Sequence, residues 1–153
     1  MKITHSQIIQ QQQIFHQLSK QFTQSDLDTV MAQNPEITSI GILSSQDSLY
    51  LGSRIDLQAS LKEFQLSCAF LSKCKKSNTL NNKNGSSYSL KHRIERFLGI
   101  YITNGAIIAA AICLGIDYKQ VQYSPHVCLA IKKDLPITDE MITEATEMKK
   151  IAI

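Results

Sequence analysis

Apolar residues recur along this chain in several rhythms, and each rhythm predicts an element. Ile8, Phe15 and Phe22 fall seven apart, with Leu18 completing a stripe, which predicts a helix from about Ser6 to Phe22. Gln10 to Gln13 is polar all round, and Gln11 stands where the stripe wants a hydrophobe. So thin a seam suits docking onto the domain itself, which is the commoner use, or pairing with a second copy in a homodimer. Ser25-Asp26-Leu27-Asp28 has the form of a capping box, so a second helix is expected from Asp26, ending before Asn34-Pro35. Thr38 to Leu43 and Ser48 to Leu51 read as two short strands joined by a polar turn at Ser44 to Asp47. From Asp56 the period lengthens: Leu57, Leu61, Phe64, Cys68 and Leu71 mark an amphipathic helix.

The block Ser86 to Ile116 is the centre of the molecule. Leu90, Ile94, Phe97 and Leu98 share one helical face, while Lys91, His92, Glu95 and Arg96 occupy the rest, with Arg93 at the boundary. This helix starts after Ser86 or Ser87, and Gly99 is placed to end it. Ile100 to Thr103 connects it to a second helix, Gly105 to Leu114, capped by Thr103 or Asn104 and ended by Gly115. Tyr118 to Tyr123 and Val127 to Lys132 then form a hairpin turning at Ser124-Pro125-His126. A last helix runs from Thr138 to about Lys150, with Asp139 and Glu140 in its first turn.

The fold class is therefore α+β. N-terminal helices and a short hairpin precede a helix-turn-helix-like pair, a β-hairpin and a C-terminal helix. Residues 1–73 form an N-terminal region, 74–87 a Lys/Asn/Ser-rich loop and 88–153 the rest, in one compact domain overall. The order of elements in residues 1–73 resembles the start of roadblock or longin-type domains, at the level of fold and without a diagnostic motif. Helix, Gly-containing turn, helix and hairpin is the order of a winged helix-turn-helix. Yet Gly105 to Leu114 carries no polar side chain that could read a base edge, so that helix is a core element.

Phe97 to Ile116 holds no charged residue and is long enough to span a bilayer, with Arg93 and Arg96 just before it. Gly99, Thr103-Asn104 and Gly105 interrupt the run where two helices should meet, so burial in protein is expected and membrane insertion is not. At 153 residues and 43% hydrophobic, the chain has material for a real core. Cys68, Cys74, Cys113 and Cys128 form no CxxC or CxC, and three sit among apolar neighbours as small buried residues do. With no apolar leader in MKITHSQIIQQQQ, the expected compartment is the reducing cytoplasm.

The net charge of +3 conceals a local excess. Residues 73 to 96 carry seven basic side chains against Glu95 alone, a balance of +6. That is how an anion-facing patch looks. The residues expected to contact phosphates are Lys73, Lys75, Lys76, Lys83, Lys91, Arg93 and Arg96, joined by Tyr88 and His92. Asn81, Asn82 and Asn84 would add adaptable hydrogen bonds. His92 and Glu95 form H-x-x-E and with His126 could assemble a metal site, but the tight H-E-x-x-H spacing is absent. A solvated Glu95 paired with Lys91 or Arg96 on the helix accounts for the same residues. No P-loop, dinucleotide-binding or nucleophile-elbow motif occurs, and no catalytic residue, metal or cofactor is assigned.

The string S-S-Y-x-L-K-H-x-x-E-x-x-x-G-x-Y-I-T-N-G-A-x-I-A-A-A, from Ser86 onward, resembles a family of small uncharacterised bacterial proteins of phages, plasmids and other mobile elements. The shared part runs to about Lys132. The resemblance implies a mobile-element setting and no particular activity. The expected function is non-catalytic binding of nucleic acid or a nucleoprotein complex. The alternative is a protein-interaction module, such as an inhibitor of a host defence complex, working through the Gln-rich helix and the acidic remainder.

Overall fold

Local capping decides where this chain begins its helices. In the computed structural model, which describes residues 2–152, Thr4 opens α1 (His5–Ser19) and Thr23 opens α2 (Gln24–Gln33), each in a reciprocal capping box. The Thr23 hydroxyl accepts from the Asp26 amide at 3.2 Å, and the Asp26 carboxylate accepts from the Thr23 amide at 2.8 Å. The box expected at Ser25 to Asp28 thus lies two residues earlier, because this register turns Leu27, Val30 and Met31 into the core. The remaining elements are α3 (Tyr50–Gln58), α4 (Leu61–Ser72), α5 (Ser87–Leu98), α6 (Asn104–Cys113), β1 (Tyr118–Gln120), β2 (Val127–Leu129) and α7 (Asp139–Ala152). The protein is α+β, with the expected helix pair, hairpin and C-terminal helix.

The N-terminal hairpin is not there. Of the two expected strands, the first supplies only one isolated bridge, Ile37 to Ile42, around a tight turn in which Thr38 and Gly41 exchange backbone hydrogen bonds. The second lies mostly in α3 and the turn before it. Arg54 explains the difference. Its guanidinium donates to the carbonyls of Met31, Asn34 and Ile37 at 2.9–3.2 Å, tying α3 to the end of α2. Tyr50 adds a hydroxyl bond to the Pro35 carbonyl. Without those strands the likeness to roadblock or longin-type domains fails as well. The long helix expected from Asp56 is also divided: α3 ends at Gln58, and α4 begins at Leu61. Periodicity missed the break because Leu57, Phe64 and Leu71 still face one core on both sides of it.

That core is continuous. A single cluster of buried apolar residues runs from Ile8 to Ala145, so residues 1–73 and 88–153 share it. Helix α4 is central, packed on α1 and α6, with Phe64, Leu66, Cys68, Ala69 and Phe70 fully buried. Phe15 of α1 lies against Phe70 and meets Phe97 edge-on, with ring centroids 6.4 and 6.1 Å apart. The apolar seam of α1 is therefore spent inside the chain, and Gln12 donates to the Phe97 carbonyl beside it. Helix α6 is buried from Asn104 through Ala111, as its composition requires. Gly99, in the left-handed conformation at φ 71°, ends α5, and the twenty uncharged residues divide there into two helices. No helix among the described residues is long and apolar enough to cross a membrane.

Strand β2 organises the other side. It pairs antiparallel with β1, Tyr118 opposite Leu129 and Lys119 opposite Cys128. Its far edge is taken by the lysine-rich segment: Leu129 donates to the Gly85 carbonyl, and Asn81 and Ser77 donate to Leu129 and Ala130. The Lys/Asn/Ser-rich loop is thus laid against the hairpin.

Candidate nucleic-acid interface

The basic residues expected at the interface separate into two groups. On α5, the i, i+4 spacing places Lys91 and Glu95 together, and the Lys91 ammonium donates to Glu95 Oε1 at 2.8 Å. It also donates to the Ile102 carbonyl at 3.0 Å and lies 5.0 Å from the centre of the Tyr101 ring. Glu95 Oε1 accepts the Ile102 amide as well. The three groups form a clasp across the turn between α5 and α6, and Lys91 is only 8% exposed. Arg93 donates to the Ile137 carbonyl at 3.0 Å and to Asp139 Oδ1 at 2.8 Å, holding the start of α7 against α5. The sheltered Lys91 bonds fall in the range of about 1.5–3 kcal/mol for charge-assisted hydrogen bonds. The Arg93–Asp139 pair, with its carboxylate 90% exposed, is screened to about 1 kcal/mol or less. Lys91 and Arg93 thus have structural partners within the chain. His92 sits 3.4 Å from Glu95 Oε2, and Arg96 is exposed beside it.

The H-x-x-E pair is accounted for by this clasp. His126 lies against Tyr88, their ring centroids 5.0 Å apart, and among the described residues no group of His, Cys, Asp and Glu could hold a metal ion. Burial, helped by Lys91, pushes the His126 pKa down, so at neutral pH its imidazole adds no positive charge.

The second group is gathered by β2. Lys73, Lys75, Lys76 and Lys83 are exposed, and the segment carrying them is anchored from both ends. Lys132 donates its amide to the Lys75 carbonyl at 2.7 Å, and Lys76 bridges Ile131. Between them Asn81 is nearly buried. Its Oδ1 accepts from the amides of Lys83 and Asn84, and its Nδ2 donates to the Lys132 carbonyl. This asparagine turn holds Lys83 out toward Lys132 and Lys133, which line the same groove of about 560 Å³ together with Asn82 and Asp134. Lys119 stands on the neighbouring strand opposite Cys128, whose thiol contacts Asn81 and Asn82. Lys132 and Lys133 were missed by the sequence analysis, since a charge count along the chain cannot join them to a loop some fifty residues earlier. Their adjacency next to a strand was the one available signal. None of Lys73, Lys75, Lys76, Lys83, Lys132 and Lys133 is ion-paired with another described residue.

Burial keeps the thiols of Cys68 and Cys74 out of this surface chemistry. Burial pushes the Cys74 thiol up to about 12, and burial together with the neighbouring Cys113 raises Cys68 further. Alkylation follows the thiolate fraction, so at pH 8 Cys74 is expected to react roughly a thousandfold more slowly than an ordinary thiol near 8.5. Time-resolved mass mapping of iodoacetamide adducts checks this. Modification of Cys74 at the rate of a free thiol would show that the α4 end is open to solvent.

Fold and interface together define a class: a small α+β protein with a helix pair in its core and a lysine face on its hairpin side. No family model matches the chain, and no curated protein or solved structure matches it either.

Proposed function

We propose that this is a non-catalytic binding protein of the cytoplasm, belonging to a mobile element, that grips the phosphates of nucleic acid or of a nucleoprotein complex. The observation that carries the reading is the lysine face. Six exposed lysines come from two remote segments that meet beside the hairpin. Lys83, Lys132 and Lys133 line one groove with asparagines between them, and none of the six is paired with a described acid. Lysine heads on a fixed backbone make suitable point contacts to phosphates, and nothing in that arrangement depends on base sequence. Arg96 lies on the α7 side of α5 and can extend the contact. The resemblance of Ser86 to Lys132 to mobile-element proteins fits such a partner.

If five of the six lysines meet phosphates, the slope of log K against log salt is about −4.5 on duplex and about −3.5 on single strands. A fourfold rise in salt then weakens duplex binding about 500-fold. Fluorescence anisotropy with labelled DNA and RNA over a salt series measures the slope. Replacing Lys75, Lys76, Lys132 and Lys133 together by Ala is expected to flatten it by about 3.6 on duplex. Absence of binding to any nucleic acid at low salt would overturn the reading.

One observation favours a protein partner instead. Leu49, Leu51 and Ile55 are exposed together at the start of α3, an apolar surface suited to an inhibitor of a host complex. Binding through that face would be insensitive to salt.

A further inference from the structure

A second groove of about 560 Å³ lies where α5, the α3–α4 junction, the first turn of α6 and the hairpin turn converge. Its chemistry is unlike that of the lysine face. Asp56 and Glu63 bring two carboxylates. One Glu63 oxygen accepts the Thr103 amide at 2.7 Å, and no side-chain bond or ion pair within the described chain engages Asp56. Asn104 is 5% exposed, and its Nδ2 is spent on the carbonyls of Ile40 and Pro125. Its Oδ1 is buried with no donor, a costly state for a buried acceptor. Lys91 has three ammonium protons, and Glu95 and Ile102 account for two of them. The groove therefore asks for a ligand that offers donors to several acceptors and one acceptor to a single donor.

Its walls are aromatic. Tyr88 and Tyr101 line it at 50% and 68% exposure. Tyr123, at the tip of the same hairpin, is 98% exposed with φ 60°, a left-handed conformation that bulky side chains rarely adopt. Exposed tyrosines near one end of the hairpin and lysines toward the other are the two kinds of group that single-strand binding combines. Strand β2 connects them. His126 lines this groove and Ile131 the lysine groove, five residues along extended chain and thus at most about 17 Å apart.

We propose that this groove seats one unpaired base bearing an exocyclic amine beside a ring acceptor, as adenine, cytosine and guanine do, from a single strand whose phosphates follow the lysine face. The proposal rests on the phosphate-binding reading. The amine meets the carboxylates, the adjacent ring acceptor meets Lys91, and the ring lies against tyrosine. Thymine and uracil turn carbonyl oxygens toward those carboxylates and are disfavoured. A base inside a duplex has its pairing-edge ring acceptor engaged and both faces covered by the stack, so it could meet neither Lys91 nor a tyrosine ring.

The test compares labelled ten-residue oligonucleotides of dC, dA and dT with an abasic sugar-phosphate strand of equal length, at low salt. The dC and dA strands are expected to bind about tenfold or more tighter than the dT and abasic strands, within the range that base stacking on aromatic residues supplies. Tyr101→Ala is expected to weaken dC and dA selectively. Asp56→Ala is expected to remove the preference for dC over dT while leaving the abasic strand unchanged or slightly tighter. Both side chains are exposed, and the melting temperature of each variant confirms its fold. Equal affinity for all four strands, or a preference that survives both variants, would overturn the base pocket and leave the phosphate reading standing. Failure of every strand to bind would overturn both.

Discussion

A Gly105→Ala variant is expected to melt well below the parent protein, although alanine is the better helix former. Gly105 is the second residue of α6, at the point where the helix meets the turn Thr38 to Gly41. A Cβ there would overlap the Thr38 carbonyl oxygen, with the Thr38 carbonyl carbon at 2.7 Å and Ser39 Cα at 2.9 Å. All three are backbone atoms that cannot swing aside as a side chain would. Thr38 is fully buried, its amide and hydroxyl both donate to the Gly41 carbonyl, and Gly105 itself donates to the Ser39 carbonyl at 3.0 Å. Moving the turn therefore breaks hydrogen bonds as well as packing. Helix propensity returns about 1 kcal/mol, while overpacking against fixed backbone costs about 3 kcal/mol. The net loss of about 2 kcal/mol lowers the melting temperature of a chain this size by roughly 4–8 °C. Thermal unfolding followed by circular dichroism measures it. An unchanged or higher melting temperature would mean that the turn is not seated on α6.

Lys91→Met is the second change with a large effect, and its cost comes from what it leaves behind. The methionine fills a similar volume, so the core loses little packing. What remains is the Glu95 carboxylate, whose side chain is 19% exposed, and an Ile102 carbonyl that has lost its ammonium donor. Breaking one side of a largely buried ion pair costs about 3 kcal/mol, somewhat less here because Glu95 keeps the Ile102 amide and His92 nearby. Urea titration of the parent, Lys91→Met, Glu95→Leu and the double variant closes a thermodynamic cycle. The double variant is expected to be more stable than Lys91→Met alone, since it removes the orphaned charge. If Lys91→Met unfolds at the parent's urea midpoint, the clasp contributes nothing and the ammonium faces solvent.

These two residues mark the boundary between what was legible in the chain and what was not. The ends of α5 and α6 could be read directly, because Ser86, Gly99 and Thr103 act on backbone groups within one turn of themselves. The burial of α6 followed from a segment with nothing polar to offer water. Helical position left Glu95 a choice of Lys91 or Arg96, and the structure settles on Lys91. The first half misled for the same local reason. Thr38 to Leu43 has strand-like residues, but their backbone is committed to a tight turn, and Arg54 reaches from α3 to hold the region in place. The break between α3 and α4 was invisible because hydrophobic period records which face is buried and not whether the axis bends.

The candidate site shows the limit most clearly. Seven basic residues between 73 and 96 look alike as charges, and only packing separated Lys91 and Arg93, turned into the protein, from the lysines of the loop. Lys132 and Lys133 joined that loop through hydrogen bonds between segments some fifty residues apart. The sequence by itself determined the helices whose caps and apolar faces are local, the core identity of α6 and the excess of positive charge. The tertiary structure alone decided where that charge points and which remote residues complete the face. A long charged side chain has no direction until burial and a partner give it one, and strand pairing across the chain is where both are set.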